Sequence, residues 1–86
     1  MQFIFTDEVK KEMKKNRKFT NDLVNSIKKY CRLDFNNLNE EGKEKNEKAL
    51  KYDNKFFAYY KFSYGEIYIS TIADRSLTTI NFKKIN

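Results

Sequence analysis

The sequence predicts an α+β domain, with two to three N-terminal helices packed on a three-stranded antiparallel β-meander. Three observations carry that prediction. Apolar residues recur at helical spacing up to about residue 32, a charged helical stretch follows over about 39–51, and the last third alternates between turn signals. Eighty-six residues make one domain, 1–86, able to bury roughly 60–65% of its unfolded surface around a single core.

The first helix is expected over about 7–16, with Thr6 as its cap and Asp7 and Glu8 in its first turn, where carboxylates meet the positive end of the helix dipole. The second is expected over about 20–32. Thr20 as its cap sets Phe19 and Val24 as a hydrophobic staple, and Leu23, Val24, Ile27, Tyr30 and Cys31 form one apolar stripe. The third, over about 39–51, has Asn39 as cap and Glu40, Glu41 and Glu44 in its early turns, with Glu44 and Lys48 an attractive pair one turn apart. Its apolar residues are Leu38, Ala49 and Leu50, so contact with the core is expected mainly at its ends. Asn46 interrupts the charged stretch; a contact to a neighbouring loop and plain solvation both account for it.

Strands are expected over about 55–62, 67–72 and 77–82. A two-residue turn at Tyr64-Gly65, with Gly65 supplying positive φ, sets Phe62 opposite Ile67, Tyr60 opposite Ile69 and Ala58 opposite Thr71. A turn with Asp74-Arg75 at its tip, closed by Ala73 and Ser76, sets Ile69 opposite Ile80, Ile67 opposite Phe82 and Thr71 opposite Thr78. Both turns place Phe56, Ala58, Tyr60, Phe62, Ile67, Ile69, Ile80 and Phe82 on one face, which is the expected core, covered by the first two helices. The other face carries Phe57, Tyr59, Lys61, Tyr68, Ser70, Ile72, Leu77, Thr79 and Asn81. That set is too aromatic for a plain solvent face and too polar for a second core. A protein interface, base stacking, and cover by the N-terminal segment or the third helix are the three readings it permits.

The net charge of +6 is unevenly spread. Lys10, Lys11, Lys14, Lys15, Arg17 and Lys18 form a basic block, and these are the nucleic-acid candidates. A solvated, lysine-rich helix face explains the same block. There is no His, Trp or Pro, and Cys31 is the single cysteine, which suits a reducing cytoplasm. No apolar run approaches a membrane span, and Phe3-Ile4-Phe5 is followed by charge rather than by a signal-peptide core, so no membrane association is expected.

Catalysis finds little support. Without His there is no Ser/His/Asp or Cys/His arrangement, a lone Cys31 makes no usual zinc site, and no Gly-rich phosphate loop is present. Asp74 serves its own turn before it serves as an acid or base. A non-enzyme without cofactor or metal is the expectation.

Asp34-Phe35, Asn39-Glu40-Glu41, Asn46, Ala49-Leu50 and the run Ile69-Ser70-Thr71-Ile72-Ala73-Asp74-Arg75-Ser76-Leu77-Thr78-Thr79-Ile80 occur in that order. This order resembles a family of small proteins on phages, plasmids and integrated elements, whose members run Asp-Trp-Gly, then Glu-Glu-Asp-x-x-x-Asn-x-x-Ala-Leu, then Ile-Thr-x-Ala-Asp-Arg-Ser-x-Thr-Thr-Ile. The likeness spans about residues 30–82. The chain departs from it at Phe35, Asn36, Gly42, Ile72 and from Asn81 onwards.

The resemblance implies a mobile-element setting in the cytoplasm of a bacterial host. The function expected there is a binding protein that inhibits a host nucleic-acid-targeting defence system, of the anti-CRISPR or anti-restriction type. Its partner is then a host defence protein or ribonucleoprotein complex. Tyr59, Lys61, Tyr68 and Arg75 are the partner-binding candidates, since Tyr and Arg dominate interface energetics. A net positive chain is a poor DNA mimic, which favours a direct surface-to-surface block. The alternative is a nucleic-acid-binding protein or small regulator of the element. For Arg75 two roles stand: pairing with a carboxylate such as Glu47 or Asp34, or reaching the partner.

Overall fold

The computed structural model describes residues 2–35, 38–62 and 65–82. In chain order its elements are β1 (Gln2–Phe5), α1 (Asp7–Lys15), α2 (Arg17–Cys31), α3 (Glu40–Lys51), β2 (Phe56–Phe62), β3 (Gly65–Thr71) and β4 (Leu77–Phe82). The α+β class holds, but the sheet is four-stranded and mixed, in the order β1-β4-β3-β2, and not a three-stranded meander. The added strand is the apolar start of the chain. It runs parallel to β4, with Phe3 opposite Thr78 and Phe5 opposite Ile80. Four residues are too few for alternation to be read, and the partner strand lies at the far end of the sequence.

Both hairpins keep the expected core face. β3 and β4 pair in the expected register, Ile67 with Phe82, Ile69 with Ile80 and Thr71 with Thr78. β2 and β3 do not: Phe62 faces Gly65, Tyr60 faces Ile67 and Ala58 faces Ile69. The slip is two residues, and strand side chains alternate with a period of two, so each residue stays on its face. Tyr64, half of the expected turn, lies outside the described residues. Gly65 has a φ of +139°, as its turn role requires, yet it is the last residue of the ladder.

One core lies between the sheet and the helices. Val9 of α1 and Phe19, Leu23 and Tyr30 of α2 meet Phe56, Ala58, Tyr60, Ile67, Ile69 and Ile80. Phe19 stacks on Phe82 with ring centroids 5.6 Å apart and meets Phe62 edge-on at 5.7 Å. Three expectations about the helix ends are corrected. Thr6 stands at the cap position of α1 as expected, but its hydroxyl makes no cap bond. α2 begins at Arg17, because the Asn16 side chain accepts the Phe19 N–H at 3.1 Å, and Asn outranks Thr as a cap. Thr20 therefore sits inside the helix, where its hydroxyl donates to the Met13 carbonyl at 2.9 Å and joins α2 to α1. With the start moved, the staple is lost, and Val24 is 41% exposed while Phe19 is fully buried.

α3 behaves differently from its sequence. Asn39 caps it as expected, accepting the Gly42 N–H at 2.8 Å. Its contact with the rest of the fold is not confined to its ends, however: Gly42, Asn46 and Ala49 form a buried stripe along its middle.

Candidate partner-binding surface

β2 is an edge strand, and such an edge offers unpaired N–H and C=O groups to any passing strand. α3 closes part of it. The Asn46 side chain, fully buried, donates to the Phe57 carbonyl and accepts the Phe57 N–H at 3.1 Å. One amide thus supplies what a neighbouring strand residue would. The solvated reading of Asn46 is overturned, because a polar group buried this deeply needs such partners.

The face of the sheet turned away from α1 and α2 carries the aromatic residues, and α3 borders it with Gly42 and Lys45 beside Phe57 and Tyr59. Tyr59 and Tyr68 are cross-strand partners with ring centroids 4.9 Å apart, and Phe57 stands 5.5 Å from Tyr59 and 6.0 Å from Tyr68. All three rings are half-buried, and none belongs to the core between sheet and helices. The cluster continues across the sheet through Ser70 and Thr79 to Ile4, which is 42% exposed. β1 therefore widens this face and does not cover it. Lys61 lies exposed on the same face, one cross-strand row beyond Tyr59 and opposite Glu66. Three of the four partner-binding candidates are thus neighbours. Phe57, which joins them, was marked in the sequence only as a residue of that face.

Arg75 is elsewhere. It sits in the β3–β4 turn with a φ of +66°, and its guanidinium turns back over the Phe56 ring at 4.8 Å. Nη1 donates to the Asn54 carbonyl at 2.6 Å and Nη2 to the Ala49 carbonyl at 3.2 Å. The fold-back expected for Arg75 is present, but its acceptors are the Ala49 carbonyl in the last turn of α3, where a cation also meets the negative end of the helix dipole, and the Asn54 carbonyl just beyond it. Asp74 fixes the same turn by accepting the Ser76 N–H at 2.9 Å and hydroxyl at 2.6 Å.

Lys10, Lys11, Lys14 and Lys15 on α1 and Arg17 and Lys18 on α2 are all exposed, with Lys15 3.4 Å from Glu12. They belong to the helical layer, on the opposite side of the sheet from Tyr59 and Tyr68. The α1 lysines and the aromatic rings therefore lie on different surfaces, whereas Lys18 shares a groove with Tyr59. Lys18 alone approaches the sheet: with Lys29 and Lys61 it lines an open groove of about 740 Å³ between α2 and the β2 edge, which Asp22 and Glu66 also line.

Buried titratable groups serve the fold. The Tyr30 hydroxyl lies 2.7 Å from Thr71 Oγ1, which lies 2.8 Å from Thr78 Oγ1, and it donates to the Phe56 carbonyl at 3.3 Å. Burial drives its pKa upward, partly offset by the Thr71 bond. Burial also pushes Tyr60 up to about 12, and its hydroxyl has no hydrogen-bond partner among the described residues. Among the described residues no cluster of His, Cys, Asp or Glu could hold a metal ion, and no helix is long and apolar enough to cross a membrane. Compared with family models, with curated proteins and with solved structures, the chain finds no match in any of the three.

Proposed function

We propose that this chain is a non-enzymatic binding protein that docks a protein partner on its open sheet face. The observation that carries the reading is the contiguous Phe57–Tyr59–Tyr68 cluster on the sheet face opposite the α1–α2 layer, which α3 borders along a groove beside Phe57 and Tyr59. Rings held against one another on a rigid sheet present area at little entropic cost, which is what interface anchors need. Combined with the resemblance of the Ala73–Ile80 segment to mobile-element proteins, the reading becomes an inhibitor of a host nucleic-acid-targeting defence system, of the anti-CRISPR or anti-restriction type. It acts by occupying a surface of the effector protein or ribonucleoprotein.

A second reading is favoured by the exposed lysines of α1: direct binding of nucleic acid by the chain as a small regulator of the element. Capture from host lysate with and without nuclease separates the two. A protein partner that survives nuclease and is lost in Tyr59→Ala/Tyr68→Ala supports inhibition by docking. Recovery of nucleic acid alone, lost on reversing Lys10, Lys11, Lys14 and Lys15 to Glu, supports the second reading.

A further inference from the structure

The two edges of the sheet are treated differently. At β2, Asn46 occupies the backbone groups of Phe57, and Lys61 stands on the strand. At β1 nothing comparable is present among the described residues. Gln2 donates its N–H to the Ser76 carbonyl at 2.9 Å and Thr6 to the Ile80 carbonyl at 3.1 Å. In a parallel ladder the bonds to one neighbour come from alternate residues. Gln2, Ile4 and Thr6 therefore bond β4, while Phe3 and Phe5 aim their N–H and C=O groups outward. Among the described residues nothing pairs with them. The strand carries no charge, and its exposed side chains are Gln2 and the apolar Ile4. The strand itself has no charge, proline or bulge, and among the described residues nothing covers it, so the usual guards against edge pairing are missing there.

We infer that β1 pairs antiparallel with the β1 of a second copy of this chain, around a two-fold axis through Ile4. That register uses every outward group, because Phe3 exchanges both its bonds with Phe5 of the second copy, and Phe5 with Phe3. It sets the two Ile4 side chains opposite each other in the non-hydrogen-bonded site, where side chains come closest, and covers the exposed apolar residue of the strand. Charge agrees with it. α1 packs on β4, one strand in from this edge, and carries Asp7 and Glu8 in its first turn and Lys14 and Lys15 in its last. The two-fold runs the two α1 helices antiparallel, directing each acidic end toward the basic end of its mate. The dimer has one continuous eight-stranded sheet, with an aromatic cluster toward each end of its open face. This inference is independent of what the aromatic face binds.

Sedimentation of the purified chain from micromolar to millimolar concentration tests it, and a monomer–dimer equilibrium is expected. Ile4→Lys sets like charges opposite each other and should return a monomer with unchanged circular dichroism. Ser70→Lys, the same charge on the central strand β3, should leave the dimer in place. In a Cys31→Ser background, mild oxidation should link Ile4→Cys into a covalent dimer, since facing residues at such a site stand about 4.5 Å apart at Cα. Gln2→Cys should not link, because the axis sets Gln2 opposite Thr6. A monomer at every concentration, a dimer that survives Ile4→Lys, or an Ile4→Cys chain that does not cross-link overturns the proposal.

Discussion

Arg75 Nη2 donates to the Ala49 carbonyl at 3.2 Å, across 26 residues of chain, and this bond ties the β3–β4 turn to the end of α3. The same carbonyl already receives the Asn54 N–H at 2.8 Å, which closes the helix. A planar fork reaches the Asn54 and Ala49 carbonyls at once, while Phe56 supports it from below. Arg75→Ala should lower stability by about 2 kcal/mol in urea titrations, the scale of charge-assisted bonds. Arg75→Lys should recover little of it, because an ammonium is not a fork. Arg75→Gly should lie about 1 kcal/mol above Arg75→Ala, since a φ of +66° strains any residue with a Cβ. Equal stability of wild type and Arg75→Ala would refute the clamp.

Asn46 invites a different test, because it acts on the sheet edge. Asn46→Ala leaves the Phe57 N–H and C=O without their partner beside α3 and should lower stability by about 2–3 kcal/mol. It also uncovers a stretch of edge, so light scattering on heating should rise earlier than in Arg75→Ala at matched stability. Asn46→Asp keeps the shape but loses the donor to the Phe57 carbonyl. It should be at least as destabilising, which distinguishes hydrogen bonding from packing.

The sequence spelled out the core face more fully than the connections. Alternation in β2, β3 and β4 sorted Ile67, Ile69 and Ile80 from Tyr68 and Thr79 whichever register was assumed, since a two-residue slip changes partners but not faces. β1 escaped because its identity as a strand depends on β4, more than seventy residues away. The α2 start differs from the expected one because Asn16 and Thr20 both look like caps; Asn16 takes the role, and Thr20, left inside the helix, bonds Met13 of α1 instead. In the candidate surface, Tyr59, Lys61 and Tyr68 follow from strand periodicity alone. Arg75 does not join them, because a turn residue has no period, and its direction is set by α3, an element packed from elsewhere in the chain.

Asp74 makes the acid limb of stability informative. Bonds from the Ser76 hydroxyl and N–H hold its carboxyl below the usual carboxylate range. A group whose folded pKa lies below its unfolded value stabilises the fold above the unfolded value and loses that contribution as pH falls through the folded one. The window therefore opens below about pH 4. Melting temperatures of wild type and Asp74→Asn should differ above that pH and converge beneath it. A constant difference across the acid range would show that Asp74 acts through shape alone.

Salt dependence separates the lysine block from the aromatic face. If the chain docks protein through Phe57, Tyr59 and Tyr68, raising ionic strength should change partner affinity only modestly, and reversing Lys10, Lys11, Lys14 and Lys15 to Glu should alter it little. Neutralising phosphates with four to six lysines and arginines would instead give a slope of log affinity on log salt of about −4 to −5. Titration calorimetry at two salt concentrations with the captured partner decides between them.

Two buried tyrosines should respond in opposite ways to loss of their hydroxyls. Tyr30 holds the Phe56 carbonyl and Thr71 together, so Tyr30→Phe removes bonds that nothing else replaces and should lower stability by about 1–2 kcal/mol. The Tyr60 hydroxyl is buried with no partner among the described residues, so Tyr60→Phe removes an unsatisfied group and should be neutral or stabilising by up to about 1 kcal/mol at neutral pH. Alkaline conditions sharpen the contrast. Tyr60 is pushed up to about 12, above the value of about 10 for an exposed tyrosine. Folding then holds a proton that the unfolded chain releases, so the contribution is complete below pH 10 and is lost as pH rises from about 10 to about 12. Tyr60→Phe lacks that proton, and its melting temperature should fall less steeply above pH 10 than that of the wild type, whose Tyr30 titrates in the same direction. An alkaline limb as steep in Tyr60→Phe as in wild type, together with reduced stability at neutral pH, would mean that the Tyr60 hydroxyl is satisfied in solution.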